Sequence, residues 1–348
     1  MQHLLISLEF TTPVRFGGHQ SGGGLDQSEI TCYADTFFSA LCHETLNSGG
    51  SEELNKLVDL VMNDQLLISD LFPFYTPERG EEVTYYLPKP ILPEKEPKHY
   101  LTDQQEIEMR FQQQKKIKKQ NYVPAQFLRQ YVKAQQRSET GDLDWEMPAV
   151  AVEIESQRVG MLGQEKSQPY LVSAKQFFSN KPTTGLYLLM GLTDTVDQEW
   201  ILRLVKSAGL SGIGGKRSTG YGRFEFYEEP IQLFADGGGI YDGDSSIGKM
   251  LNKKDGEMMA LSVTHPLEKE LALLNHEASF YQLVNRSGFV WSVSYADQPL
   301  KRKPVTMIKA GSVFPEKMRG CVVDTAQHGN HPVYRYGKGF FLGVNPDD

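Results

Sequence analysis

Residues 209–226 read GLSGIGGKRSTGYGRFEF. Six glycines fall between Gly209 and Gly222, interleaved with Lys216, Arg217, Ser218, Thr219 and Tyr221. Glycine admits positive φ and lets backbone N–H groups approach a ligand. Consecutive N–H groups in such a run can form a concave nest for an anion. From Arg203 to Arg223 there are five basic residues and no acidic one, in a chain of 348 residues whose formal net charge is −8. This local charge bias predicts a phosphate cradle, where the plainer alternative is a tight helix-to-strand turn. The expected contacts are Gly212, Ile213, Gly214, Gly215, Lys216, Arg217, Ser218, Thr219, Gly220 and Tyr221.

The cradle is not a Walker A loop, which needs Gly five positions before the Gly-Lys pair and Ser or Thr after the Lys. Leu210 and Arg217 hold those places. Nor is it a dinucleotide fingerprint, because Gly212-x-Gly214 is followed at the third position by Arg217. Both motifs also run strand, loop, helix. Here Thr195-x-x-Gln198 reads as a capping box, and Trp200, Ile201, Leu204, Val205 and Ala208 share a helical face. Gly209 suits the C′ position that ends the helix, and 223–227 alternates as a strand. Helix, basic glycine loop, strand is an order that suits a polynucleotide backbone better than a mononucleotide.

His19, beside Arg15 in a loop spanning 13–27, could serve as acid or base in RNA cleavage. A metal-independent endoribonuclease using His19 is therefore the enzymatic alternative, although no second acid/base group is identifiable. The HGNH stretch at 328–331 lacks the Cys or carboxylate cluster of a metal site, so no metal or cofactor is expected. Three widely spaced cysteines make no disulfide framework. No run approaches the roughly 18 apolar residues of a membrane span. The N-terminal residues read as a strand, not a leader, so the expected location is cytoplasmic. An acidic chain with one basic loop should bind RNA along a local stripe. A stand-alone protein-interaction module with an incidental basic loop is the third possibility.

Leu4, Ile6, Leu8 and Phe10 alternate with Leu5, Ser7 and Glu9, which predicts a strand with one face in the core. A helix follows over 31–46, with Asp35 near its start placed for the helix dipole, and a second over 54–61. Residues 69–74 and 85–93 are short extended pieces. The segment 94–137 reads as an exposed helical insertion, and its KKIKK run as a solvated face or a patch for RNA or a partner. Residues 150–179 read as a long loop or hairpin carrying Arg158, Lys166 and Lys175, and 186–192 as a strand. The fold class is α+β. A ferredoxin-like or RRM-like domain over 1–235 holds the insertion, the hairpin and, before its last strand, the loop at 209–222. Residues 236–256 read as a linker or loop, and 257–348 as a smaller RRM-like domain. In that domain six basic residues against one acidic over 300–320 mark a second RNA-facing patch. Arg286 and Lys309 are further candidate RNA contacts in this domain.

Taken in order, YADTFFSALCHETL (33–46), FPFYTP with YYLPKP (72–90), QRVG (157–160), GLYLLMGL (185–192), GIGGKRSTGYGRFEF (212–226), AGSVF (310–314) and HPVYRYGKGF (331–340) resemble one family. It is the fourth subunit of the type III-A CRISPR interference (Csm) complex, in the Cas-five-like group of the RAMP superfamily. The resemblance runs nearly end to end. It implies two RRM-like domains and a non-catalytic subunit that holds the 5′ tag of the crRNA. It also implies two protein partners, the large palm-domain (Cas-ten-type) subunit and the backbone RAMP subunit. Family RNA contacts carry over to Gly212, Gly214–Thr219, Gly220 and Tyr221, and to Arg158 in the hairpin. The hairpin departs from the family pattern, since Gln157-Arg158 is followed by Val159-Gly160-Met161 with no second Arg. Tyr221 and Phe16 are the expected platforms for base stacking.

Overall fold

The computed structural model describes residues 1–17, 26–93, 104–137, 143–162, 166–290, 292, 294–298 and 300–345. The chain opens with β1 (Gln2–Phe10), α1 (Ala34–Met62), β2 (Leu66–Ile68), β3 (Phe72–Thr76) and β4 (Thr84–Pro88). Then come α2 (Gln104–Lys119), β5 (Tyr122–Pro124), α3 (Leu128–Arg137), β6 (Ala151–Leu162), β7 (Lys166–Phe177) and β8 (Thr183–Leu192). Next are α4 (Gln198–Ser211), β9 (Phe224–Phe226), β10 (Ile231–Leu233) and α5 (Asp242–Leu251). The main sheet runs β10–β1–β8–β3–β4–β5, with β2 also on β8 and β9 also on β1. All these pairings are antiparallel.

Alternation correctly places Leu4, Ile6, Leu8 and Phe10 in one core, against Phe37, Phe38 and Leu41 of α1 and Ile201, Leu204 and Val205 of α4. The expectation of a single buried face is corrected. Leu5 and Ser7 are also buried, and all ten residues of β8 are inside. A second core covers that face, with Leu5, Tyr187 and Leu189 packed among Leu128 and Val132 of α3 and Ile247 and Met250 of α5. Two further expectations fall with it. The latter half of the insertion is packed, not exposed: Leu128, Tyr131 and Val132 are all inside. The presumed linker at 236–256 contains α5, whose apolar residues would otherwise be left in water.

Helix boundaries also differ from the sequence reading. The cap of α4 is Asp197, whose carboxylate accepts from the Trp200 N–H at 3.0 Å. Thr195 instead accepts from Gln65 at 2.9 Å. Gly209 lies within the helix, where an added Cβ would meet the Phe224 carbonyl at 2.3 Å, so the strand lies directly on it. The helix runs to Ser211 and ends on Gly212 at φ 81°. Helix α1 is broken at Gly50 (φ 68°), which matches the two expected helices.

The C-terminal strands are β11 (Met258–Ala260), β12 (Leu283–Arg286), β13 (Phe289–Val290), β14 (Leu300–Lys301) and β15 (Val305–Ile308). They continue with β16 (Val313–Phe314), β17 (Val323–Asp324), β18 (Tyr334–Arg335) and β19 (Phe341–Gly343). Among the described residues they form one three-stranded sheet, β16–β11–β19, and the pairs β12–β15, β13–β14 and β17–β18. One short 3-10 helix spans Glu268–Asn275. Pro304, Pro315 and Pro332 and the turns at Gly311 and Gly320 (φ 92° and 61°) fall next to β14, β15, β16, β17 and β18 and keep these strands short. The C-terminal part packs into both cores, through Val263, Met307 and Tyr336 on one side and Met259, Leu261 and Leu342 on the other.

Asp70 fastens this C-terminal part to α1. Its Oδ1 accepts from the N–H of Ala34, the first residue of α1, at 2.8 Å and from the Val263 N–H at 3.0 Å. Burial pushes its pKa up to about 7, against the pull of those two donors. The unfolded chain therefore loses this proton near pH 4, while the folded chain keeps it until about pH 7. Asp70 withdraws stability as pH rises through that window. Asn at this position retains an acceptor oxygen and does not titrate. Asp70→Asn is expected to gain stability relative to wild type between pH 4 and 7, measured by urea unfolding at each pH. Parallel profiles for the two proteins would contradict this.

Candidate nucleic-acid interface

The glycine loop between α4 and β9 is laid across the segment 11–16, which in turn lies along β7. Gly215 N–H donates to the Arg15 carbonyl and Gly222 N–H to the Pro13 carbonyl, both at 2.8 Å. Arg223 N–H reaches the Thr12 hydroxyl at 2.9 Å. Val14 exchanges a pair of backbone bonds with Lys175 of β7, at 2.9 and 2.8 Å. Within the loop, Ile213 N–H donates to the Gly222 carbonyl at 2.9 Å and closes its neck.

Positive φ angles at Gly212, Gly214, Gly220 and Gly222 (81°, 83°, 87° and 77°) set the loop's shape. Lys216 is also left-handed, at φ 63°, ψ 24°, and is followed by a 3-10 turn at Arg217–Thr219. A left-handed residue followed by a right-handed one turns successive N–H groups to the same side. Among the described residues, the N–H groups of Gly214, Lys216, Arg217 and Ser218 donate to no protein acceptor. Unsatisfied N–H groups beside cationic side chains are what an anion requires.

The hairpin joins the loop through side chains. Arg158 of β6 pairs across the hairpin with Tyr170 of β7. The Lys216 ammonium lies 3.2 Å from the Tyr170 hydroxyl and 5.1 Å above its ring. The Arg158 guanidinium lies 5.9 Å over the Tyr221 ring. Among the described residues Lys216, Arg217 and Arg158 make no ion pair with a carboxylate. Arg15 is buried beneath the loop, and an added Cβ on Gly215 would lie 3.4 Å from its Nη1. Burial lowers the Arg15 pKa, with Asp26 opposing. The cations of the loop and Arg158 thus lie together above a buried Arg15.

Other expected contacts lie elsewhere. Ile213 is fully buried in the first core, so it can offer no side chain to a ligand. Tyr221 and Phe16 are buried too, and Phe16 packs edge-on against Phe10, so neither is an open platform for bases. Arg286 is turned inward: its guanidinium donates to both oxygens of Asp35, at 3.0 and 2.9 Å, and covers the Tyr33 ring at 4.3 Å. As an RNA contact it is corrected to a structural ion pair. Lys309 lines a separate cleft of about 760 Å³ with Lys89, Asn121, Tyr122 and Gln282. His19 lies outside the described residues.

The sequence reading missed Tyr170, which only the hairpin register brings opposite Arg158. It also missed the inward role of Asp35, which accepts from Arg335 as well as Arg286. No group of three His, Cys, Asp or Glu capable of holding a metal occurs among the described residues. No helix there is long and apolar enough to cross a membrane.

Comparison with known proteins agrees with the resemblance. A family profile described as the CRISPR Csm4 C-terminal domain matches residues 253–344. The "CRISPR system Cms protein Csm4" of Mycobacterium tuberculosis (strain ATCC 25618 / H37Rv) is 30% identical over 330 residues, covering 94% of each chain. The protein of that description from Streptococcus thermophilus is 26% identical over 329 residues, covering 93% of this chain and 94% of its own. Among solved structures, a chain of a Csm3–Csm4 subcomplex of the type III-A CRISPR-Cas interference complex aligns over 99% of this chain and 100% of its own, with TM-score 0.59 and 18% identity. A chain of a Csm1–Csm4 cassette in complex with pppApA aligns over 100% of both, with TM-score 0.59 and 17% identity. At such identities the likeness is one of fold.

Proposed function

The chain belongs to the Csm4 family of CRISPR proteins, and from that premise we propose that it is a non-catalytic RNA-binding subunit of a cytoplasmic type III-A effector complex. It holds the 5′ tag of the crRNA and anchors the large palm-domain subunit to the RAMP backbone. The solved relatives with Csm1 and with Csm3 support those two partners. The sheet order, with β9 and β10 beside β1, β8 next and β2 and β3 beyond, supports a ferredoxin-like N-terminal unit.

The observation that carries the RNA reading is the open row of N–H groups from Lys216 to Ser218, flanked by the Lys216, Arg217 and Arg158 side chains. Amides and cations on phosphates position a strand without reading its sequence. Such a loop suits a guide whose spacer varies and whose tag is constant. Single strands are gripped in this way along a charged groove.

The test is to co-express the chain with its complex partners and a CRISPR array, pull down on this chain and sequence the RNA. Guides sharing one 5′ end, together with the large subunit, are the expected catch. Mixed cellular RNA, or none, would overturn the assignment. Incubating the purified chain with repeat RNA in EDTA should leave that RNA whole, and cleavage would overturn the non-catalytic part.

A further inference from the structure

Four parts of the chain meet around the cleft that Lys309 lines, and hydrogen bonds fix its walls. In the segment after β4, the Lys89 N–H donates to the Asn121 carbonyl at 3.0 Å and the Ile91 N–H to the Gly311 carbonyl at 2.8 Å. The Lys89 ammonium donates to the Ile117 and Lys118 carbonyls at 3.2 and 3.0 Å and so holds the last turn of α2 in place. The Tyr122 hydroxyl of β5 donates to that of Thr31 at 3.4 Å, which ties in the segment before α1. A Cβ on Gly311 would lie 2.9 Å from the Lys89 carbonyl oxygen, so the C-terminal turn sits directly on the segment after β4. The cleft is built into the fold. Its volume of about 760 Å³ falls within the range of about 300–1,000 Å³ usual for small-molecule sites.

The lining suits a nucleotide. Tyr33, Tyr122 and Tyr131 supply aromatic surface, and Gln114, Asn121, Gln135 and Gln282 supply side-chain amides. Among the described residues, none of these four amides has a protein hydrogen-bond partner. Each presents a donor and an acceptor together, as the edge of a base requires. Lys309 supplies charge. Its N–H donates to the Gln282 carbonyl at 2.9 Å and its carbonyl accepts from the Ser312 hydroxyl at 2.6 Å, which pins its backbone. Its ammonium makes no ion pair among the described residues. Glu29 and Asp70 also line the cleft, against Lys89, Lys118 and Lys309. Carboxylates accept from the amino groups of bases, and they oppose a polyphosphate more than a single phosphate. An uncharged sugar would satisfy the amides and leave Lys309 idle, whereas a nucleotide with one phosphate uses both.

The cleft also adjoins the glycine loop. Glu29, in its wall, donates from its N–H to the Phe16 carbonyl at 3.1 Å, and a Cβ on Gly214 would lie 3.1 Å from the Phe16 ring. We propose that the cleft binds one nucleotide, its base among the tyrosines and amides and its phosphate toward Lys309. The lining carries the nucleotide class by itself. That the nucleotide belongs to the bound RNA, rather than being a free nucleoside monophosphate, rests on the reading of the glycine loop as an RNA grip.

Two arms of one experiment separate these sources. In the first, the purified chain is dialysed against AMP, CMP, GMP and UMP in turn. Saturable binding of at least one, weakened about tenfold by Lys309→Ala/Gln282→Ala, marks a site open to free nucleotides. In the second, the assembled complex is loaded with guides carrying one abasic nucleotide at each position of the 5′ tag in turn. At one position the missing base should weaken guide retention in wild type and not in the variant, which marks an RNA nucleotide. The RNA result is the one expected. No saturable binding, together with equal abasic effects in wild type and variant, would overturn the site. Neither substituted side chain has a protein partner, so the variant should unfold at the wild-type temperature. If it does not fold, Gln282→Ala alone, at an exposed side chain, repeats both comparisons.

Lys216→Ala/Arg217→Ala separates this site from the reading beneath it. Guide lost there, with no nucleotide binding and no position-specific abasic effect in the wild type, defeats the cleft alone. Guide retained there, with the abasic effect intact, defeats the loop reading and leaves the cleft standing.

Discussion

Asp35→Ala should lower the stability of the whole fold by about 3–5 kcal/mol, the range for removing one partner of a buried ion pair. Asp35 is 2% exposed and Arg335 3% exposed at the side chain, with Arg286 at 12%. Burial alone would raise the Asp35 pKa, yet the guanidiniums of Arg286 and Arg335 outweigh it and hold the carboxyl below its ordinary value. Without Asp35, Arg286 retains the Thr36 hydroxyl and the Tyr33 ring, and Arg335 the Ser287 carbonyl. Those groups satisfy hydrogen bonds but supply no negative charge. Asp35→Asn should fall between wild type and Asp35→Ala. Urea unfolding measures the loss, and a change below about 1 kcal/mol, the scale of an exposed pair, would show that the cluster is well solvated.

The second large effect concerns the loop's neck. A Cβ on Gly222 would lie 2.0 Å from the Ile213 carbonyl oxygen and 2.9 Å from the Ile213 nitrogen, at φ +77°. Both are backbone atoms and cannot swing aside as a flexible side chain would. Left-handed φ alone costs an L-residue about 1–2 kcal/mol. Gly220 supplies the control, since its φ is +87° but nothing lies within 4 Å of its would-be Cβ. Gly222→Ala should therefore displace the loop and lose most of the co-purifying guide. Gly220→Ala should lose stability on the order of that conformational term and keep the guide. Equal guide recovery from the two variants would mean that the neck does not shape the binding surface.

Much of this architecture was legible because it depends on local periodicity. The alternation at Leu4, Ile6, Leu8 and Phe10 gave β1, and the apolar stripes of α1 and α4 gave the helices behind it. The glycines that must be left-handed, at 212, 214, 220 and 222, stood out beside Lys216 and Arg217. What stayed hidden was decided by distant partners. Gly243 and Gly248 made the 242–251 stretch read as a loop, yet they are where α5 presses on the Tyr85 side chain and the Phe234 carbonyl. With α5 unseen, the second buried face of β1 could not be inferred either. Arg286 looked like a surface cation because its partner, Asp35, lies 251 residues away in sequence. Tyr221 looked available for stacking because nothing local shows that the hairpin covers it.

Whether residues 212–221 grip the guide's phosphates is tested most directly by purifying the complex with Lys216→Ala/Arg217→Ala in this chain and measuring the guide RNA recovered for each copy of the protein. Removing two phosphate-binding cations predicts a steep fall in retained guide at physiological salt, in a chain that still folds and still recruits its protein partners. Guide recovered at the wild-type level from that variant would contradict the phosphate grip and return the glycine loop to a purely structural turn.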